Sequence, residues 1–194
     1  MKLDFFNTPD EADVRIHGNG FLQAELPDGR KLHVWNAGDK NFPKQTTSTQ
    51  IHTHNSPFKS TILHGKLMNF EYEMSTDLRV SNDYYDEYEA IVRHGKDTEL
   101  KPTGRTLAIE NRRVFKFSLG SEYDFPGGPN LYHETNPLTG SVITVVERTG
   151  PISPIFNPMV MVQCGEYPDN NFDRYAHQEY AYTLYSSVVD FLRG

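Results

Sequence analysis

Two histidines one residue apart, His52 and His54, are the side chains in this sequence best suited to chemistry. In a β-strand, residues i and i+2 point to the same side, and their Cα atoms lie about 6.5–7 Å apart. Imidazole nitrogens at that spacing can converge on one metal ion, with metal–nitrogen bonds of about 2.0–2.2 Å. If the segment is a strand, the pair forms a metal-binding frame that still needs a third ligand.

We expect the third ligand to be His133. It follows a Gly/Pro turn at residues 126–129 and precedes an apolar, β-branched run at residues 142–146. A side chain at the start of a strand after a loop can reach the mouth of a barrel. Taken alone, His133 would be better explained as a histidine that hydrogen-bonds a backbone carbonyl group.

The elements that must position these histidines are short strands separated by turns, a pattern typical of a β-sandwich or β-barrel. We predict a hairpin turn at residues 27–29 and a kink or bulge at Gly65. From about Phe172 to Leu192 there is no Gly or Pro, and apolar residues recur at helical spacing. This indicates a C-terminal amphipathic helix, capped by Asp169 or Asn170. The predicted strands cover residues 20–26, 31–35, 60–74, 85–93, 106–109, 114–119, 141–147 and 160–163.

Length and composition restrict the class of protein. The 194 residues suggest one domain, residues 1–194. A net charge of −7 argues against nucleic-acid binding through a broad basic surface. No run approaches the roughly 20 apolar residues of a membrane helix, and the single cysteine, Cys164, precludes an internal disulfide. We therefore expect a cytoplasmic protein with no nucleic-acid or membrane partner.

The histidine segments resemble the two motifs of the cupin superfamily. His52-x-His54, followed at a distance by Gly65, is similar to the first motif. A later segment resembles the second motif, which has a Gly, a Pro-x-Gly unit, a histidine and a nearby Asn. The residues found here in that order are Gly120, Pro126, Gly128, His133 and Asn136. The resemblance covers roughly residues 45–150. It implies an all-β fold, the cupin-type double-stranded β-helix or jelly-roll barrel, to which the C-terminal helix is added.

The sequence departs from the cupin pattern at two places. Phe58 stands where many cupins have a glutamate ligand, and the gap from Gly128 to His133 is two residues longer than usual. Loss of the glutamate resembles thiol dioxygenases of the cysteine-dioxygenase type, which hold iron on three histidines. The resemblance therefore implies a metal site made of His52, His54 and His133 and an Fe(II) dioxygenase-like activity on a small molecule.

Neutral imidazole donors leave the charge of a divalent ion uncompensated and suit Fe, Zn, Ni and Cu better than Mg or Ca. Fe(II) is favoured by the resemblance, while Zn, Mn and Ni are compatible with the same ligands. For substrate binding we select Phe58 as an apolar wall, Ser60 on the same strand face, and Arg148 as a partner for a carboxylate or phosphate. A surface ion pair of Arg148 with Glu147 is the competing interpretation.

Three functions remain open from the sequence. The first is an Fe(II)-dependent oxygenase. The second is a metal-dependent isomerase, epimerase or hydrolase acting on a sugar or nucleotide, which would need no oxygen. The third is a non-catalytic cupin that binds a small molecule or a protein. Exposed strand edges or the C-terminal helix could also support a homodimer.

Overall fold

The computed structural model describes residues 13–36, 39–40, 42, 47–92, 98–169, 175 and 177–194. Its elements are eleven strands and one helix. Their bounds are β1 Asp13–His17, β2 Phe21–Glu25, β3 Lys31–Asn36, β4 Phe58–His64, β5 Lys66–Ser75, β6 Tyr84–Val92, β7 Thr98–Ser118, β8 Glu122–Phe125, β9 Tyr132–Pro137, β10 Ser141–Arg148, β11 Met159–Gln163 and α1 Gln178–Arg193.

The strands form two antiparallel sheets that the chain visits alternately. Sheet A has the order β1-β2-β3-β10-β4-β8, and sheet B has the order β11-β6-β7-β5-β9. From β3 the chain passes to residues 49–54 (the histidine segment), which bond to β9 and β11 of sheet B. It returns to sheet A as β4 and passes to sheet B as β5, β6 and β7. It then alternates, with β8 and β10 in sheet A and β9 and β11 in sheet B. This alternation is the cupin-type jelly-roll barrel, so the predicted fold class is confirmed.

The predicted long strand around Gly65 is two strands joined by a sharp bend. β4 pairs with β10 and β8 in sheet A, whereas β5 pairs with β7 and β9 in sheet B. Gly65 between them has φ +77°. A Cβ atom there would lie 2.3 Å from the carbonyl oxygen of Ser141. Only glycine fits this crossing, because both the positive φ and the close approach exclude a side chain.

Sheet B has a hydrophobic core of its own on the face that turns away from the barrel interior. The histidine segment bonds β9 along one edge and β11 along the other, so it closes sheet B into a ring. The residues enclosed form the second core, which consists of Ile51, Tyr72, Leu107, Tyr132 and Met161. At its base the carboxylate of Glu87 accepts hydrogen bonds from Tyr132 and Thr103.

The C-terminal helix covers the outer face of sheet A. Ala181, Tyr185, Val188 and Val189 are buried and pack against strand residues such as Val14. The predicted helix is therefore confirmed, with later bounds: it begins at Gln178, and the expected start at Phe172 lies outside the described residues. Asp169 is not its cap, because the N-cap is His177, which makes no side-chain capping bond. Asn170 also lies outside the described residues.

One strand prediction was wrong in a way that has a local cause. The segments 106–109 and 114–119, predicted as separate strands, belong to the single long strand β7, which also contains residues 102–104. At residues 102–104 the register with β6 shifts, so that Tyr88 faces Pro102 while Asp86 faces Thr106. These residues therefore form a bulge, in which Gly104 has φ +80°. The strands β1, β8 and β9 were not predicted.

Among the residues that the structure describes, no helix has both the length and the apolar character needed to cross a membrane.

Replacing Gly65 with Ala should destabilise the protein by about 3 kcal/mol, because the left-handed backbone and the clash with Ser141 act together. Gly120→Ala is the matched control: Gly120 also has φ +80°, but nothing lies within 4 Å of its Cβ position. It should lose only about 1 kcal/mol. The measurement is urea denaturation, and equal losses for the two variants would contradict the role assigned to Gly65.

Candidate metal centre

The histidine segment and β9 bring the three predicted histidines together. The amide of His52 donates to the carbonyl of His133 at 2.9 Å, and the amide of His133 donates to the carbonyl of His52 at 2.8 Å. This antiparallel pair places the two side chains on one face. His54 shares that face because it lies two residues after His52. All three side chains therefore point into the jelly-roll barrel, opposite to the second core.

The Nε2 atoms of the three rings converge on one point. The Nε2 atom of His54 lies 2.9 Å from that of His52 and 2.9 Å from that of His133. The ring centroids are 4.6–4.9 Å apart. Three ligand nitrogens on one side of a point, with no carboxylate among them, match the donor set predicted from the sequence.

The hydrogen bonds of Nδ1 in His52 and His133 show which ring nitrogen carries the proton. The Nδ1 atom of His52 lies 2.6 Å from the carbonyl oxygen of Gln50, which can only accept, so Nδ1 must be protonated. The amide nitrogen of Asn19 is more distant from this Nδ1, at 3.3 Å, and the Nδ1 proton excludes donation from it. The Nδ1 atom of His133 lies 2.9 Å from Oδ1 of Asn69 and donates to it.

It follows that the Nε2 atoms of His52 and His133 both present lone pairs to the same point. His54 can donate a single Nε2 proton, which can satisfy one of these lone pairs and leaves the other facing a ring nitrogen. A cation at the centre would satisfy all three nitrogens at once. The residues present therefore fit a metal ion.

Burial keeps the three imidazoles neutral. It lowers the pKa of His52, and it lowers the pKa of His54 and of His133 well below the ordinary histidine value. Repulsion from any protonated neighbouring histidine would lower the pKa of His54 and His133 further. The site is therefore ready to bind a metal ion at neutral pH without first losing protons.

Aromatic rings cover one side of the cluster. Phe58 is buried, and its ring centroid lies 4.7 Å from that of His54. Phe125 stacks on His133 at 4.3 Å. Phe58 thus lies beside the histidines, in the place where the sequence led us to expect an apolar wall, and its role towards a substrate stays a prediction.

The other proposed substrate residues lie at different depths. Ser60 is fully buried, opposite Val146 and Tyr123 on the neighbouring strands. Arg148 is exposed at the end of β10, opposite Phe58, and forms no ion pair with Glu147 or any other described residue. It is therefore placed at the rim of the barrel, at the end where Phe58 and His54 lie.

Two carboxylates of β5 near His133 in the strand pairing do not join the cluster. Glu71 lies opposite His133 across the β5–β9 pair, but its carboxylate is 3.0 Å from the guanidinium of Arg113. Glu73 is exposed. The other histidines also stay outside the cluster: His17 stacks on Phe21, His64 contacts Phe191, His177 is exposed, and His94 lies outside the described residues.

Sequence reasoning missed Asn69 and Phe125. Asn69 is buried on β5, two residues before Glu71. It lies next to His133 only because β5 pairs with β9. An isolated Asn in an apolar strand, between Met68 and Phe70, is the signal that could have identified it. Phe125 gives no such signal, because an aromatic residue before a Gly/Pro turn is commonplace.

Comparisons with known proteins add no argument about the fold or the function of this chain. No protein-family model matches the chain, and no curated protein matches it. Among solved structures, hydroxypropylphosphonic acid epoxidase from S. wedmorenis is similar, with 10% sequence identity over 74% of this chain and a TM-score of 0.39. The match spans 58% of the epoxidase chain. A likeness of this extent carries no argument about function.

Replacing Asn69 with Ala should weaken metal binding about 10–100-fold, because the ring of His133 loses the acceptor that fixes its orientation and tautomer. Asn69→Asp, which keeps an acceptor oxygen, is the matched control and should retain most of the affinity. The measurement is competition for Co(II) or Fe(II) against a chelator of known affinity. Equal affinities for Asn69→Ala and the native protein would contradict this role.

The metal-free protein should lose stability in acid partly through His33, whose pKa burial lowers to about 3. The unfolded chain binds this proton near pH 6.5. The folded state therefore loses up to about 1.4 kcal/mol per pH unit as the pH falls from about 6.5 towards 3. His33→Gln should reduce the slope of unfolding free energy against pH in that window. Above pH 7, where the residue is neutral in both states, the two slopes should coincide; a slope unchanged at pH 4–6 would refute the assignment.

Proposed function

We propose that this protein is a cupin-type metalloenzyme that uses Fe(II), held by His52, His54 and His133, to oxidise a small molecule with dioxygen. The observation that carries the proposal is the convergence of three imidazole nitrogens whose outer hydrogen bonds direct lone pairs to one point. The absence of a carboxylate from this cluster, among the residues that the structure describes, keeps the donor set neutral.

The number of protein ligands leaves room for substrates on a bound ion. Three histidines would occupy three coordination positions, so that a chelating substrate and dioxygen could take the others. Fe(II) would pass an electron to dioxygen, which Zn cannot do because it has no redox chemistry, and the substrate would supply the remaining electrons.

The chain's own residues would contribute shielding and orientation. Phe58 and Phe125 pack against His54 and His133, so water is excluded from one side of the cluster. Arg148 at the rim could hold an anionic group of the substrate, since it has no ion-pair partner among the described residues. Its exposure favours a role in binding and orientation over one in proton transfer.

We also propose that the enzyme acts in the cytoplasm, without nucleic-acid or membrane partners, and forms a homodimer. The part of β7 from residue 111 to 118 pairs with β5 along one edge, and no other described strand covers its second edge. That edge is available to a second copy of the chain. Sedimentation of the purified protein would test the dimer.

The central test is metal binding by purified, metal-free protein under anaerobic conditions. The native protein should take up about one Fe(II) per chain, and a His52→Ala/His133→Ala double variant should take up none. His64→Ala, which alters a histidine outside the cluster, is the control and should bind iron normally. Unchanged iron content in the double variant would exclude the site.

Access of dioxygen can be tested before any substrate is known. Nitric oxide, a stand-in for dioxygen, should give a high-spin EPR signal with the Fe(II)-loaded native protein, because open coordination positions remain. Iron bound without this signal would argue against an oxygenase. An activity retained with Zn under anaerobic conditions would instead establish the isomerase or hydrolase alternative.

A further inference from the structure

A second cavity lies on the opposite side of the strands that carry the histidines. Its volume is about 360 Å³, within the range of small-molecule pockets. It opens at one end of the second core, and Ile51, Tyr72, Tyr85 and Glu134 are among the residues that line it. Because successive strand residues point to opposite faces, Glu134 faces this cavity while His133 faces the barrel. The cavity is thus separate from the candidate metal centre.

Two unpaired charges of opposite sign line this cavity. The guanidinium of Arg112 lies 5.5 Å from the ring of Phe70 and makes no ion pair with the residues that the structure describes. The carboxylate of Asp83 likewise has no hydrogen-bond or ion-pair partner in the described part of the chain. Arg112 belongs to β7 and Asp83 to the loop before β6, so two different elements supply the two groups.

The remaining polar groups supplement these charges. Glu134 accepts hydrogen bonds from the hydroxyl of Tyr72 at 2.6 Å and from the amide of Asn136 at 3.3 Å, which leaves capacity for another donor. Burial raises the pKa of the Tyr85 phenol; the charges of Asp83 and Glu134 raise it further, and the charge of Arg112 lowers it. Tyr85 therefore lies within the field of all three charged groups.

The charge pattern restricts the ligand. A simple anion would be drawn to Arg112 but repelled by Asp83 and Glu134. A simple cation would be drawn to the carboxylates and repelled by Arg112. A molecule with an ammonium and a carboxylate group matches both, and the ring of Tyr85 beside the carboxylates offers an additional contact for the ammonium.

We infer that this cavity, on the outer side of the histidine strands, binds a small zwitterion of the amino-acid class. The carboxylate of the ligand pairs with Arg112, and its ammonium pairs with Asp83 and Glu134. The inference goes beyond the proposed function, since it needs no metal ion and no oxygen.

The test is calorimetric titration of metal-free protein with each standard L-amino acid. At least one should bind saturably with a Kd of millimolar or lower. For that amino acid, Arg112→Gln and Asp83→Asn should each weaken binding about tenfold or more, because each removes one charge-assisted contact. Arg113→Gln is the matched control: Arg113 is adjacent in sequence but points to the other face, where it pairs with Glu71, and its loss should leave the Kd unchanged.

Two analogues of the amino acid that binds separate a zwitterion site from a site for one charge. The amine without the carboxylate, and the 2-hydroxy acid without the ammonium, should each bind at least about tenfold more weakly. The inference is overturned if no amino acid binds at millimolar concentration, if either analogue binds as tightly, or if Arg113→Gln weakens binding as much as Arg112→Gln. Because the protein is metal-free throughout, none of these results depends on whether the iron site is correct.

Discussion

The mutual hydrogen bonding of His52 and His133 is the interaction on which the rest of the structure depends. Two backbone bonds, of 2.9 and 2.8 Å, join the histidine segment to β9. They fix the distance and the facing of two ligands, and they close sheet B on the side where the barrel would otherwise have an unpaired edge. The same bonds therefore close the fold and assemble the candidate metal centre.

The Gly/Pro turn before β9 also bonds to the histidine segment. The amide of Gly128 donates to the carbonyl of His54 at 2.8 Å. A Cβ atom on Gly127, whose φ is +67°, would lie 2.7 Å from the carbonyl oxygen of Ser56. The Gly/Pro turn thus contacts the segment by its backbone, and Gly127, next to the motif glycine Gly128, has a steric reason to be there. His54, the one ligand without a β-ladder bond to β9, obtains its restraint in this way.

The two faces of sheet B and the histidine segment carry different kinds of side chain. One face of sheet B and the histidine segment carries the imidazoles and their hydrogen-bond partners, while the other face carries the second core and, at its open end, a charged cavity. The strands alternate between these faces, so each ligand residue is flanked by core residues such as Ile51 and Tyr132. Histidines held neutral by burial reduce stability in acid, and the helix α1, packed on the far face of sheet A, adds apolar burial that offsets such costs.

The sequence by itself determined the all-β class, the hairpin at residues 27–29, the bend at Gly65 and the three histidines, because these depend on local patterns. Alternation places His52 and His54 on one face, and glycine marks backbone that no other residue can adopt. The tertiary structure decided the rest. The bulge at residues 102–104 exists because β6 pairs across it, and a turn pattern alone could not reveal that pairing. Asn69 reaches His133 through the pairing of strands that are more than sixty residues apart in sequence, and Phe125 reaches it from the opposite sheet. The strand order also brings Arg112 and Asp83 to one cavity. Such neighbours are set by strand order, which no local periodicity encodes.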